Sequence, residues 1–559
     1  MPISHRTYYQ KAFARVAFCM LASLFTKHLQ AQVVWEYQQK EVYNYLARMA
    51  QKGIIRFDDN IKPLSRKYIA DCLDSLSHKN SLLSPIEKKE LLFYNHEYGN
   101  ELAGGPTENQ AEELSFFKTD PYKRWRSFNA KSSNITLVAD PVFTAATIRG
   151  SGKNVLQTSS GLSVWGYAGK HFGFHLFYND ITESGPGFDS TRQNTPETGI
   201  VRIDPSVNTS QNYSQLRGSI SYSWKNGSIS IGQDYLLWGY GEAGKIVLSD
   251  KAPAAPYIRL DYQPFSWVKF NYANFWLSSN QVDSARTYGT GSIIFGSDQR
   301  ILYIPKFMAT HSLQIKLSKG LDLAAGESIV YSDRMDIGYL IPIMFFKIYD
   351  NLVNNGNIHA GSNGQIFMQL SSRNQLPKTH LYSTLFIDEI RLSTIFSKTN
   401  SRNQLGITFG GSVTDLIIPY LTAGIEYTRV NPFVYSNLIP AQTYTSHGYN
   451  MGDWMGNNFD RLTYTLKYTP FPRFKCLLNY QTSRKGGPGT IVQQYLQQPQ
   501  PPFLFDLQNK QKQIHASISY ECLNNLNLNA YFTSLSFDNI VTSQKTTTNT
   551  FSLGFTYGL

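Results

Sequence analysis

The sequence is poor in cysteine, in charge and in long apolar runs. It has 4 cysteines in 559 residues, and the first of them, Cys19, lies in an N-terminal leader. The other three (Cys72, Cys476 and Cys522) are too few and too widely spaced for a disulfide framework or a zinc finger. Charged residues make up only 16%, and no apolar run approaches the roughly 20 residues of a membrane helix. These absences exclude a disulfide scaffold and a helical membrane protein.

Motifs of catalytic and cofactor sites are also missing. The sequence has no G-x-S-x-G, no H-E-x-x-H and no phosphate-binding glycine loop, and it contains no motif for a metal or an organic cofactor. His171 and His175 share a strand face but lie roughly 13 Å apart, too far for one metal ion. We therefore expect a non-enzymatic protein. The alternative is a hydrolase whose site is assembled from several strands.

Residues 1–31 have the pattern of a secretory signal peptide. Arg6, Lys11 and Arg15 precede an apolar stretch, and a cleavage site is expected before Gln32. The leader holds four Lys or Arg and no acid, so the exported chain has 48 basic and 40 acidic residues, a net charge of +8. For an exported protein we expect anionic glycans or lipopolysaccharide phosphates as partners rather than nucleic acid. The alternative is that the basic residues only form a solvated loop surface.

Residues 461–469 alternate strictly between apolar and polar side chains. Successive side chains of a strand point to opposite faces, so the segment has one apolar and one polar face. About eighteen such strands follow residue 134, which predicts a mainly β fold, a transmembrane antiparallel β-barrel. A soluble β-sandwich also alternates and is the alternative. Further clear examples are 216–224, 268–272, 513–520 and 551–559. A strand is also predicted over 228–238.

The connections between the predicted strands favour the barrel. The links after even-numbered strands are short, whereas many links after odd-numbered strands are long, as expected for periplasmic turns and extracellular loops. Aromatic residues also recur next to the short turns, where an interfacial girdle is expected. They are Trp224, Tyr262, Tyr468, Tyr520 and Tyr557.

The region 32–130 differs from the rest and predicts a periplasmic helical domain with a linker, followed by the barrel at 131–559. Apolar residues recur at helical spacing after Val42, and Ser65 can cap a second helix. Ser84, Pro85 and Glu87 form a capping box that opens a third helix. A further short helix is predicted near Ala111 to Phe117.

The long loops are rich in aromatic and hydrogen-bonding side chains, which suits glycan binding. The alternative is an aromatic girdle with packed loops. Asp388 and Glu389 interrupt a strand and point to opposite faces, so we interpret one of them as a lumen carboxylate paired with Arg or Lys. Cys476 and Cys522 lie on adjacent predicted strands and could form a disulfide or simply face lipid. The candidate polysaccharide-binding residues are Asp234, Tyr235, Trp238, Tyr240, Arg334, Asp336, Glu426, Arg429 and Trp454.

Seven of these nine candidates, all but Arg334 and Asp336, lie in a set of six segments: 232–241, 246–253, 339–346, 387–389, 426–432 and 452–458. Together these segments resemble the capsule-assembly (Wzi-type) outer-membrane family, in the form found in Bacteroidetes. The resemblance implies an eighteen-stranded barrel, a periplasmic helical bundle and a lectin-like role. The sequence departs from the family pattern after Trp238, where no proline separates Gly239 and Gly241.

Together these observations predict a bacterial outer-membrane protein that binds or anchors capsular or other surface polysaccharide and assists its assembly. We expect a monomer in contact with outer-membrane lipids and lipopolysaccharide. A porin-like diffusion channel is the alternative, because a barrel of eighteen strands has room for an aqueous lumen. An outer-membrane hydrolase is the third possibility.

Overall fold

The computed structural model describes residues 32–104, 113–203, 207–294, 297–356, 361–390, 403–489 and 500–558. The predicted signal peptide, 1–31, lies outside these ranges. Eighteen antiparallel strands close into a barrel in which β18 pairs with β1, as predicted. The strands are β1 Ile135–Gly150, β2 Lys153–Ala168, β3 Phe172–Ser184, β4 Ser210–Trp224, β5 Gly227–Asp234, β6 Ala255–Phe265, β7 Val268–Val282, β8 Tyr303–Ser318, β9 Leu321–Ser332, β10 Asn363–Arg373, β11 Thr379–Ile390, β12 Asn403–Thr414, β13 Leu421–Val430, β14 Phe459–Tyr468, β15 Phe474–Lys485, β16 Asn509–Leu523, β17 Leu526–Asn539 and β18 Gln544–Tyr557.

The barrel is apolar outside and polar inside. In β4, Ile220 is 64% exposed, whereas Ser221 on the opposite face is fully buried. The same contrast holds in β14, where Tyr464 and Leu466 are exposed and Arg461 is buried. An apolar belt outside a closed barrel is what lipid requires, because every backbone group is paired and no sheet edge remains.

Loop lengths follow the predicted parity. By the strand bounds, all links after even-numbered strands up to β16 span two to six residues. Seven of the nine links after odd-numbered strands span 12 to 30 residues. The barrel therefore has a short-turn end and a long-loop end.

A hairpin precedes the barrel and corrects one prediction. The short helix predicted near Ala111 to Phe117 is wrong, because Glu113–Thr119 is a strand that pairs with Trp125–Lys131. The second strand continues into the barrel wall by pairing with β1. Pairing with this partner satisfies the backbone groups that a short helix would leave unpaired at its ends.

Within residues 32–104, four helices precede the hairpin and share one apolar core. As predicted, the Ser65 hydroxyl accepts a hydrogen bond from Tyr68 N, and Ser84 and Glu87 form a capping box. Among the described residues, no helix has both the length and the apolar character to cross a membrane. The helices are α1 Val42–Gln51, α2 Arg66–Ser77, α3 Pro85–Glu97 and α4 Gly99–Leu102.

This helical region fills the short-turn end of the lumen. Arg373 of the barrel wall pairs with Asp59 at 2.7 Å, and Lys269 pairs with Asp58 at 3.3 Å. The Arg217 guanidinium stacks 3.9 Å from the Tyr37 ring. The contacts are charged because the inner wall of the barrel is polar.

The three described cysteines are free thiols. Cys476 is opposite Ile518 in the register between β15 and β16. Cys522 lies four residues further along β16, so the two sulfur atoms do not meet across the strand pair. The disulfide alternative is therefore wrong.

Candidate functional site

Two long loops fold inward and build an apolar core inside the lumen. One is residues 235–254 after β5, called here the lumen insert, and the other is residues 431–458 after β13. Trp238 and Ile246 of the insert share a buried cluster with Tyr435 and Tyr444. The Tyr435 hydroxyl donates to Ile246 O at 2.7 Å, and the Tyr444 hydroxyl donates to Val247 O at 2.8 Å.

The lumen insert reaches the helical region. Leu237 and Trp238 pair as a short antiparallel ladder with Ile61 and Lys62. The Gly239 N–H donates to Asn60 O at 2.9 Å. The lumen is thus filled from both ends, by helices from the short-turn end and by loops from the long-loop end.

A cavity of ≈ 240 Å³ remains between helix α1, the insert and the barrel wall. Lys467 pairs with Glu242 at 2.8 Å along one wall. The Glu426 carboxylate accepts from the Tyr382 hydroxyl and from Glu242 N, both at 2.7 Å. Glu426 therefore ties the insert to the inner wall of the barrel.

Six of the nine predicted binding residues lie within the lumen. Trp238 is only 2% exposed and packs edge-on against Phe367. The Trp454 indole donates to Ala243 O at 2.8 Å. A polymer outside the cell would contact Trp238 only if the insert moved. The polysaccharide-binding role of the six lumen residues therefore stays a prediction. The six residues are Asp234, Tyr235, Trp238, Tyr240, Glu426 and Trp454.

The other three predicted residues lie elsewhere. Arg334 is exposed in the loop after β9, and Asp336 accepts from Gly338 N and from the Tyr349 hydroxyl, both at 2.8 Å. Arg429 is the last residue but one of β13, and its guanidinium lies 3.8 Å from the Phe503 ring. The structure therefore does not bring the nine residues into one site.

A polar cavity of ≈ 310 Å³, called here the rim cavity, opens at the long-loop end. Helix α5, Phe346–Val353, forms one wall. The Asp350 carboxylate organises this wall by accepting from Asn354 Nδ2 at 3.0 Å and Ser362 N at 2.9 Å. Amides and carboxylates dominate its lining, which includes Lys347, Asp350, Asn351, Asn354, Asn363, Asp388, Glu389, Gln404 and Asn437.

Asp388 lies at the rim cavity, near the end of β11. Its carboxylate accepts from Gln365 Nε2 at 3.2 Å and from Tyr435 N at 2.7 Å. In the described part of the chain no Arg or Lys forms a salt bridge with Asp388. The predicted ion pair of one of the two acids therefore stays a prediction for Glu389. Amide donors satisfy this carboxylate and join β10 and β11 to the loop 431–458.

The asparagines of the rim cavity are not among the predicted binding residues, all of which are aromatic or charged. Their signal is the asparagine-rich stretch that begins at Asn351, together with Asn437 in another loop. Only the tertiary structure brings these segments together. Within the ranges that the structure describes, no group of three His, Cys, Asp or Glu could hold a metal ion.

The fold is similar to that of Wzi from Escherichia coli, with a TM-score of 0.59 and 13% identity over 95% of this chain and 100% of that chain. That protein is described as an outer-membrane protein involved in group 1 capsule assembly and as a carbohydrate-binding β-barrel. At this identity the likeness establishes the fold alone. No protein-family model and no curated protein matches the chain.

Two porin-type structures are less similar. A BenF-like porin of Pseudomonas fluorescens has a TM-score of 0.44 and 9% identity, over 76% of this chain and 99% of that chain. OpdK of Pseudomonas aeruginosa has 0.42 and 9%, over 75% and 97%. These scores are too low to support an argument.

The protein is a bacterial outer-membrane β-barrel. The Bacteroidetes form of the expected family stays a prediction.

Proposed function

We propose that this protein binds a surface polysaccharide, capsular or other, at the rim cavity and so anchors the polymer to the outer membrane. The observation that supports this most is the rim cavity itself. It is polar, it opens at the long-loop end, and the lumen beside it is filled. In outer-membrane barrels the long loops face the cell exterior.

The lining of the rim cavity suits a sugar chain. Sugar hydroxyls both donate and accept, and amides do the same, while carboxylates accept. Asn351 is exposed at this lining, and Lys347 beside it offers a cation to an acidic sugar. Arg334 and Asp336 lie on the same loop as α5 and extend the polar surface.

Anchoring would come from many weak contacts along a repeating polymer. Each contact by itself binds weakly, but a chain that is held at one unit presents the next at high local concentration. We therefore propose a role in retention and assembly without catalysis. The neighbour Wzi, described as a carbohydrate-binding barrel, has the same fold, which agrees with this role. The helical region would face the periplasm, and the protein would act as a monomer in contact with lipid and lipopolysaccharide.

The test is surface-polymer retention in a deletion strain. We expect polymer to be made but shed into the medium, and wild-type protein to restore the cell-bound fraction. Asn351→Ala combined with Asn437→Ala should restore much less. Unchanged cell-bound polymer in the deletion strain would remove the anchoring role.

Matched controls separate binding from folding. Asn134→Ala with Asn226→Ala makes the same chemical change in turns at the opposite end and should restore retention fully. Trp238→Ala with Trp454→Ala tests the lumen group, and normal retention in that variant would leave the rim cavity as the binding surface. Barrel folding of every variant is checked by its heat-dependent shift in gel electrophoresis.

A further inference from the structure

The loop after β9 folds back over the outer wall of the barrel. Tyr339 and Phe346 of this loop are buried against Phe307, Ile329 and Tyr331. Phe307 has the same strand parity as Leu313, which is 45% exposed on the belt, and Ile329 and Tyr331 are on the same face through the register of β8 with β9. The loop therefore packs on the lipid-facing side.

Polar side chains of the wall satisfy the backbone of this loop. The Tyr272 hydroxyl donates to Tyr339 O at 2.8 Å, and His311 Nδ1 donates to Pro342 O at 2.8 Å. Glu327 Oε1 accepts from Phe346 N at 2.7 Å. All three wall residues share the outward face through the registers of β7, β8 and β9. Such groups are costly in a lipid-facing belt unless they are paired.

The depth of the loop follows from the register. Glu327 lies six residues from Leu321, the first residue of β9. That is roughly 20 Å along the strand and, at a tilt of about 40°, roughly 15 Å along the membrane normal. Because the belt is about 25 Å tall, the tip of the loop lies within its half nearer the long-loop end.

The outer side of the loop is apolar. Ile343 is 73% exposed and Phe345 is 67% exposed at the tip. Lys347 pairs with Asp350 at 3.1 Å, toward the rim. Seven exposed apolar side chains in one loop would be unusual on a water-facing surface. Here they are continuous with the apolar, lipid-facing belt of the barrel. The other exposed apolar residues of the loop are Ile337, Ile341, Ile348, Leu352 and Val353.

We propose that residues 337–353 form a re-entrant segment immersed among the acyl chains of the outer leaflet, outside the barrel. The segment descends to its tip at 341–346 and rises again as α5. Its backbone is satisfied by the outward-facing polar side chains, and its apolar side chains contact lipid. It fixes one wall of the rim cavity at the membrane surface. This placement holds whether or not the rim cavity binds a polysaccharide.

The test places a nitroxide label at Ile343→Cys in the full chain, with Cys72, Cys476 and Cys522 replaced by Ala, in phospholipid vesicles. Ile293→Cys is the matched control, because Ile293 is 79% exposed in a hairpin of the long-loop end. Collision rates are measured with oxygen, which concentrates in lipid, and with a polar nickel chelate, which lipid excludes. We expect the oxygen-to-nickel ratio at position 343 to exceed that at 293 by about tenfold.

Two results would overturn the proposal. Equal ratios at 343 and 293 would place the segment in water. Low collision rates with both reagents together with spin–spin broadening would show that a second copy of the chain covers the patch.

A second pair of variants tests the backbone contacts. Glu327→Leu removes the acceptor of Phe346 N and should lower the ratio at 343. Glu327→Gln keeps a carbonyl oxygen and should preserve it. The same oxygen-to-nickel collision ratio at position 343 in both variants would show that Glu327 does not fix the tip of the loop.

Discussion

Arg66 joins the helical region to the barrel through a single buried guanidinium group. It pairs with Glu36 and Glu101 at 2.6 Å and with Glu97 at 3.1 Å. The Trp165 ring of the barrel wall lies 4.1 Å from it. Removing one partner from such a cluster leaves buried charges without compensation, which costs more than the pair itself contributes.

Arg66→Met should therefore loosen the helical region by about 3–5 kcal/mol, the cost of breaking a buried ion pair. The measurement is the urea midpoint of the helical region, followed by limited proteolysis in detergent. Lys67→Met is the matched control, because the exposed pair of Lys67 and Asp71 contributes less than about 1 kcal/mol. Similar midpoints for both variants would contradict the structural role of Arg66.

The sequence did not single out Arg66, although it predicted the helix that Arg66 begins. Ser65 can be predicted as a helix cap from the sequence, because its hydroxyl accepts a hydrogen bond from an N–H only three residues away. The partners of Arg66 are 30 to 35 residues away. No local pattern contains that information.

At the scale of elements, α3 carries a carboxylate that three arginines hold in place. Burial alone would raise the pKa of Glu97, but the guanidinium groups of Arg124, Arg126 and Arg66 lower it overall from its ordinary 4.5. A lowered pKa means that folding favours the ionised form. The stabilisation of the fold by ionised Glu97 is complete above pH 4.5. It is lost as the pH falls through the lowered pKa of Glu97.

We therefore expect the thermal midpoint of the helices to be constant from neutral pH to about pH 4.5 and to fall below it. Circular dichroism of the full chain in detergent measures this midpoint. Glu97→Gln should lower the midpoint at neutral pH and flatten its dependence below pH 4.5. A wild-type midpoint that falls between neutral pH and pH 5 would contradict the assignment.

The strand predicted over 228–238 shows the limit of element prediction. The wall strand β5 ends at Asp234, and Leu237 and Trp238 then pair with Ile61 and Lys62 inside the lumen. The extended conformation was predicted correctly, but the partner was not. Alternation of apolar and polar residues predicts that a segment is extended. It does not tell whether the segment pairs with the barrel wall or with a segment inside the lumen.

At the scale of the whole molecule, the filled lumen decides between an anchor and a channel. We expect no large stable openings from the wild-type protein in planar bilayers. Deleting the lumen insert alone should change little, because the helical region still closes the short-turn end. Deleting both the insert and residues 32–104 should open the barrel, since the remaining wall of eighteen strands is wide.

The single deletions are the controls for this measurement. A channel gated by the helical region alone would open when only that region is removed. Large wild-type openings would favour the porin-like alternative over the anchor.

The sequence by itself determined the barrel, its strand order, its loop parity and the helical region with its caps. These features are readable because lipid requires an apolar outer face on every strand, and a period of two records that face residue by residue. The tertiary structure alone decided where the apolar loop residues go. Trp238 lies inside the lumen and Ile343 lies outside the wall, yet both belong to apolar segments that follow odd-numbered strands. Trp238 is placed by its pairing with Ile61, which is far away in the sequence. The loop of Ile343 is placed by contacts with wall residues such as Glu327 of β9. No local sequence pattern encodes such contacts.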